Sequence, residues 1–219
     1  MDVELNQENG LSPRPDGTRI SITAEEINNL PLRSYTGKTS VISDPAKLAR
    51  IIRDIEAFDV IGFDTETRPS FRKGQLYDVS LLQIATPDRV YLIRLNHTGL
   101  TNEIIGLLSN PKIVKAGVGI RDDLKALQKL RKFEPAGFHD LSVLAKQAGL
   151  QVESVKKLTA LLLGFRISKS AQTSNWEVRT FTQKQIEYAA TDAWVCLELF
   201  HKLKPASSNL FNGHPVSAA

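Results

Sequence analysis

Three β-rich runs in close succession, residues 60–67, 79–85 and 90–95, followed by a regular alternation of helical and extended segments, restrict the architectures open to this chain. Thr86-Pro87-Asp88-Arg89 joins the second and third runs as a hairpin, so the three form a meander. A helix at 101–108, a strand at 113–116, a helix at 121–131 and a strand at 138–140 then alternate, which calls for parallel strands joined by helical crossovers. Upstream, 39–42 predicts an edge strand, and Ser43 or Asp44 caps a helix with Leu48, Ile51, Ile52 and Ile55 on one face. Residues 141–203 read as mostly helical. The expectation is an α/β fold whose mixed central sheet joins an antiparallel meander to parallel strands, with helices on both faces.

Composition fits one such domain. The 219 residues, 42% of them hydrophobic, suffice for one substantial core and not for two large ones. Polar character and Pro13, Pro15, Gly17 and Pro31 predict a flexible N-terminal arm over 1–36, a folded domain over 37–204 and a frayed tail over 205–219. The net charge of +4 permits an acidic partner without naming one, and the basic residues cluster near 112–132 and 156–169. Cys196, the single cysteine, lies in an apolar helical stripe and forms no internal disulfide. No apolar run approaches membrane-spanning length and the first residues carry acids, which together predict a cytoplasmic protein.

Asp64 and Glu66 lie two apart in Val60-Ile61-Gly62-Phe63-Asp64-Thr65-Glu66-Thr67, so on a strand they share a face while Ile61, Phe63 and Thr65 take the other. Two like charges converging in an apolar run call for a cation, and carboxylate oxygens suit Mg²⁺ or Mn²⁺. Taken singly, such a pair is also what a solvated strand end carries. Asp122 and Asp123 follow Gly117-Val118-Gly119 at a helix start, where capping and the helix dipole favour acids. Asp122 occupies the place of a third glycine, which excludes a dinucleotide fingerprint. In the last long helix, opened by a Thr182/Gln185 capping box, Tyr188 and Asp192 lie four apart and address one point. Val195 and Leu199 extend toward the same side, so Asp192 needs a partner.

In this order, Phe63-Asp64-Thr65-Glu66, Gly119-Ile120-Arg121-Asp122-Asp123-Leu124 and Tyr188-Ala189-Ala190-Thr191-Asp192 resemble the three motifs of the DEDD 3′-5′ exonucleases, in the branch with tyrosine in the last motif. Glu187 stands where the sister branch carries histidine. The resemblance extends to Leu81-Leu82-Gln83-Ile84-Ala85 and Ser174-Asn175-Trp176 and is strongest to the nuclease domains of ribonuclease D and the Werner-syndrome protein. It implies a ribonuclease-H-like fold, two Mg²⁺ or Mn²⁺ ions held by Asp64, Glu66, Asp123 and Asp192, and Tyr188 orienting the attacking water. The substrate it implies is nucleic acid with a free 3′ end, and the products are nucleoside 5′-monophosphates. Gln83, Lys115, Lys169 and Trp176 are candidates to touch the strand or its terminal base, with core or lid packing the plainer reading of Trp176. Two rivals remain open: a nucleic-acid-binding scaffold of the same fold that turns nothing over, and a ribonuclease-H-like endonuclease.

Overall fold

The computed structural model describes residues 19–72 and 74–207, the last three as backbone only. The expected tail beyond 207, and the arm before 19, lie outside the described residues. Six strands form one sheet: β1 (Lys38–Ile42), β2 (Val60–Thr67), β3 (Val79–Ala85), β4 (Arg89–Arg94), β5 (Val114–Gly117) and β6 (Phe138–Asp140), in the order β1-β4-β3-β2-β5-β6. β2, β3 and β4 are the expected antiparallel meander, its hairpin closed by Thr86 N–H on the Arg89 carbonyl at 2.9 Å. β1 runs parallel to β4, β5 to β2 and β6 to β5. Pairing therefore changes from antiparallel to parallel at β2.

The period of two along the strands sorts their side chains into two layers. Ile61 and Phe63 of β2, Leu82 and Ile84 of β3, and Tyr91 and Ile93 of β4 join a core with α2 (Leu48–Glu56), α4 (Asn102–Leu108) and α5 (Arg121–Leu130). α2 enters through a single 3₁₀ turn capped by Asp44, whose side chain accepts from Ala46 N–H at 3.0 Å. It buries Leu48, Ile52 and Ile55 at helical spacing. The opposite residues of β3 and β4, Leu81, Ala85, Val90 and Leu92, pack on Ala189, Ala190, Ala193 and Leu197 of α8 (Gln183–Ser207). α6 (Leu141–Gln147) and α7 (Val155–Leu163) complete that second layer. Two short helices, α1 (Ala24–Asn29) and α3 (Leu95–Thr98), finish the set among the described residues, and no helix there is long and apolar enough to cross a membrane.

Residues 19–36 depart from the expectation of a flexible arm. Thr23 and Glu26 close a capping box on α1, and Ile22 is buried against the α6, α7 and α8 layer. Leu32 bridges Arg166, with Arg33 N–H on the Arg166 carbonyl and Arg166 N–H on the Pro31 carbonyl, both at 2.9 Å. Tyr35 N–H then donates to Thr191 Oγ1 on α8 at 2.9 Å. The segment is a strap, not a tail. Its partners lie far along the chain, so its polar, proline-broken composition reads locally as loop.

Candidate active site

The position of α8 is set by a missing side chain. A Cβ at Gly62 would collide with the Ala193 carbonyl and crowd Leu197 N–H, so only glycine lets the helix backbone lie directly on β2. That close approach carries Asp192, one residue before Ala193, to the face from which Asp64 and Glu66 project. Carboxylate oxygens of Asp64, Glu66 and Asp192 all lie within 4.8 Å of one another. The spacing of two along β2 gives Asp64 and Glu66 their common face, while Asp192 is the residue that the resemblance implied beside them.

The cluster strains its own ionisation. Burial, then the charges of Asp192 and Glu66, hold the Asp64 carboxyl well above the ordinary carboxylate range. Burial and the neighbouring Asp192 and Asp123 push Glu66 up to about 9. Burial raises Asp192 to about 7, opposed by the Tyr188 hydroxyl and by Lys156. Tyr188 is also partly buried, and burial with the Asp192 and Glu66 charges raises its phenol above the ordinary value, so it is not a base. It can donate a hydrogen bond and hold position.

Asp123 arrives from the other side. Gly119, at φ +68°, makes the turn from β5 into α5, and Asp140 fastens it by accepting from Gly119 N–H at 3.0 Å and Ile120 N–H at 3.2 Å. In the first turn of α5, Asp123 accepts a hydrogen bond from the Thr65 hydroxyl on the face of β2 opposite Asp64 and Glu66. Burial raises the Asp123 carboxyl to about 6, and the Thr65 hydroxyl holds it from going higher. Asp123 thus borders the three-carboxylate cluster without entering it, while Asp122 stays exposed beside Lys125.

The four residues expected to touch substrate separate. Gln83, opposite Asp64 in the β2/β3 register, has no exposed surface. Trp176 is also fully buried; its ring lies 6.0 Å from Tyr188 and 5.6 Å from Phe181, so it walls the site and offers no open stacking face. The indole N–H lies near enough to Glu66 to favour its charged form, yet makes no hydrogen bond of ordinary geometry. Lys115 is a correction of a different kind: its ammonium donates to the Asn110 carbonyl at 2.6 Å and lies 5.1 Å from the Phe138 ring, inside the core and away from the carboxylates. A lysine stem fills apolar space, and a carbonyl satisfies its head. Only Lys169 is exposed, on the loop before Trp176.

Thr65, Gly62 and Lys156 were not singled out by sequence. Thr65 was detectable, because the strand period that pairs the two acids turns it toward the neighbouring helix. Beyond Glu66, Arg68 bonds Glu177 at 3.2 Å and stacks 4.7 Å over the Tyr77 ring. Arg68 and Tyr77, with Phe71, Arg72 and Asn175, line a cavity of about 450 Å³. A larger hollow of about 640 Å³, bordered by Lys146, Gln151 and Lys157, includes none of the site residues.

Residues 39–207 match the family model for a 3′-5′ exonuclease domain. The chain belongs to that family. Among curated relatives, this exonuclease domain is 33% identical over 160 residues to the mouse (Mus musculus) exonuclease 3′-5′ domain-containing protein 2, covering 68% of the chain and 24% of that protein. It is 28% identical over 202 residues to an Arabidopsis thaliana 3′-5′ exonuclease, covering 85% of the chain and 70% of the relative. The chain therefore spans about a quarter of the first of these proteins and most of the second. A Trypanosoma brucei ribonuclease D solved with RNA U12 superimposes with a TM-score of 0.65 at 23% identity, over 82% of this chain and 64% of that one, and shares its fold. The exonuclease domain accordingly has the ribonuclease-H-like architecture that the motif order implied.

Proposed function

We propose that this chain is a metal-dependent 3′-5′ exonuclease that hydrolyses nucleic acid from a free 3′ end and releases nucleoside 5′-monophosphates. The observation that carries the reading is the convergence of the Asp64, Glu66 and Asp192 oxygens within 4.8 Å, beside Tyr188. Hard oxygen donors gathered this closely in a buried place suit Mg²⁺ or Mn²⁺, and burial and the neighbouring carboxylate charges raise their pKa values, with Lys156 opposing the rise at Asp192. Asp64, Glu66 and Asp192 would hold one ion, with Asp64 and Asp123 toward a second. When bound, such ions supply positive charge to the entering and leaving oxygens of an in-line displacement.

The chain's own groups do the rest. Tyr188 keeps its proton and positions the attacking water, while its hydroxyl favours the ionised Asp192. Thr65 fixes the carboxylate of Asp123. Exposed Lys169 and the Arg68 and Arg72 rim of the cavity offer cations to the phosphate backbone. The buried, unpaired Cys196 suits a reducing, cytoplasmic setting.

The test is a Mn²⁺-dependent time course on 5′-labelled single-stranded DNA and RNA, with 3′-blocked and circular controls, comparing the wild type with Asp64→Ala. A ladder shortening from the 3′ end, absent in the variant and both controls, is expected. Cleavage of the circle would replace this reading with an endonuclease, and metal binding without cleavage would replace it with a binding scaffold.

A further inference from the structure

β3 reads Val79-Ser80-Leu81-Leu82-Gln83-Ile84-Ala85, and all seven residues are buried. Gln83 has no exposed surface, and neither its Nε2 nor its Oε1 has a hydrogen-bond partner. On its face of the sheet stand Leu81 and Ala85 along the strand and Leu92 opposite on β4, beneath the alanines of α8. A leucine or methionine would meet those neighbours without desolvating an amide, so packing does not account for glutamine here.

Its remaining neighbour does. Asp64 is the register partner of Gln83 across β2. Directly opposed side chains on an antiparallel pair start about 4.5–5.5 Å apart at Cβ, and a glutamine spans that gap. An amide is also the donor this position tolerates. A lysine would pair with Asp64 and compete with a cation, and a glutamate would add another negative charge to the cluster. Trp176 presents the analogous neutral N–H toward Glu66.

We infer that Gln83 is a positioning residue: once Asp64 is ionised around a cation, the Gln83 amide, unpartnered in this structure, turns its Nε2–H₂ to the Asp64 carboxylate and fixes the rotamer in which the other Asp64 lone pairs converge with Glu66 and Asp192. The inference rests on the exonuclease reading above, because a cation-holding Asp64 is the state that the amide supports. Groups that orient metal ligands in this way typically change metal affinity about 10–100-fold when removed.

Gln83→Met in the full chain tests it, with Mn²⁺ affinity measured by calorimetry and thermal unfolding measured in chelator. The expected result is Mn²⁺ binding weakened by about tenfold or more, while the metal-free melting temperature is unchanged or higher. Equal Mn²⁺ affinity in variant and wild type would overturn the role of Gln83 and leave the exonuclease reading standing. Weaker binding accompanied by a lower metal-free melting temperature would make Gln83 a structural residue and overturn the inference as well. A wild type that binds no Mn²⁺ would overturn both.

Discussion

Replacing Asp192 with asparagine should abolish nuclease activity and yet stabilise the metal-free protein, by an amount that grows with pH. The Asp192 carboxyl is raised from the ordinary 3.8 to about 7. A folded-state pKa above the unfolded one means that the native protein keeps a proton the unfolded chain has released. Its contribution to stability is present in acid and is lost as pH rises from about 4 through 7. At about 1.4 kcal/mol for each tenfold change in acidity, the loss is about 4 kcal/mol at pH 8 and about 1.5 kcal/mol at pH 5. Relaxation and water penetration around a buried carboxylate reduce its penalty, which leaves about half, or about 2 kcal/mol at pH 8, to Asp192 itself. Asparagine keeps an oxygen for the Tyr188 hydroxyl and carries no charge. For a chain of this size, at roughly 2–4 °C per kcal/mol, Asp192→Asn should melt about 4–8 °C higher than wild type at pH 8 and less than about 3 °C higher at pH 5. Scanning calorimetry in chelator at the two pH values reads the difference. Mn²⁺ should then raise the wild-type midpoint at pH 8 more than that of the variant. A gap that is the same at both pH values, or a variant less stable than wild type at pH 8, would refute the electrostatic account of the cluster.

Three further perturbations separate the parts of the site. Tyr188→Phe should lower turnover about 100-fold through misplacement of the nucleophile with Mn²⁺ affinity nearly intact; a large loss of affinity in calorimetry would show that the phenol serves the metal ligands instead. Gly62→Ala should cost about 1–3 kcal/mol in urea unfolding, because the new methyl forces α8 off β2, and activity should fall with it. Unchanged stability there would contradict the close approach of helix and strand. Thr65→Val removes the hydroxyl that restrains the Asp123 carboxyl near 6, so the acidic limb of the pH–rate profile should move to higher pH, and an unmoved limb would count against Asp123 as a working ligand.

Much of the sheet was legible because strand alternation and turn chemistry are local. The spacing of Asp64 and Glu66 announces a shared face, and the stripe through Ala189, Ala193 and Leu197 announces how α8 lies. Both survive folding because the core rewards the same periodicities. What the sequence hid depends on distant partners. Lys115 reads as a candidate substrate contact until the Asn110 carbonyl is found within reach of its ammonium. Trp176 reads equally as a base-stacking ring or as core packing until Tyr188 and Phe181 are found enclosing it. The resemblance implies that Asp123 helps hold a metal, yet its bond to Thr65 depends on how the helix start meets the strand. The strap of residues 19–36 follows the same rule, since none of its tethers is near in sequence.

That strap has a consequence for the order in which the protein can become active. Tyr35 grips Thr191, the neighbour of Asp192, so the helix completing the carboxylate cluster is secured by a segment translated before any strand of the sheet. A nascent polypeptide leaving the ribosome carries Asp64 and Glu66 long before it carries Asp192. Until α8 emerges and the strap closes on it, the growing chain carries Asp64 and Glu66 without Asp192, and fragments that stop short of α8 lack the assembled three-carboxylate cluster.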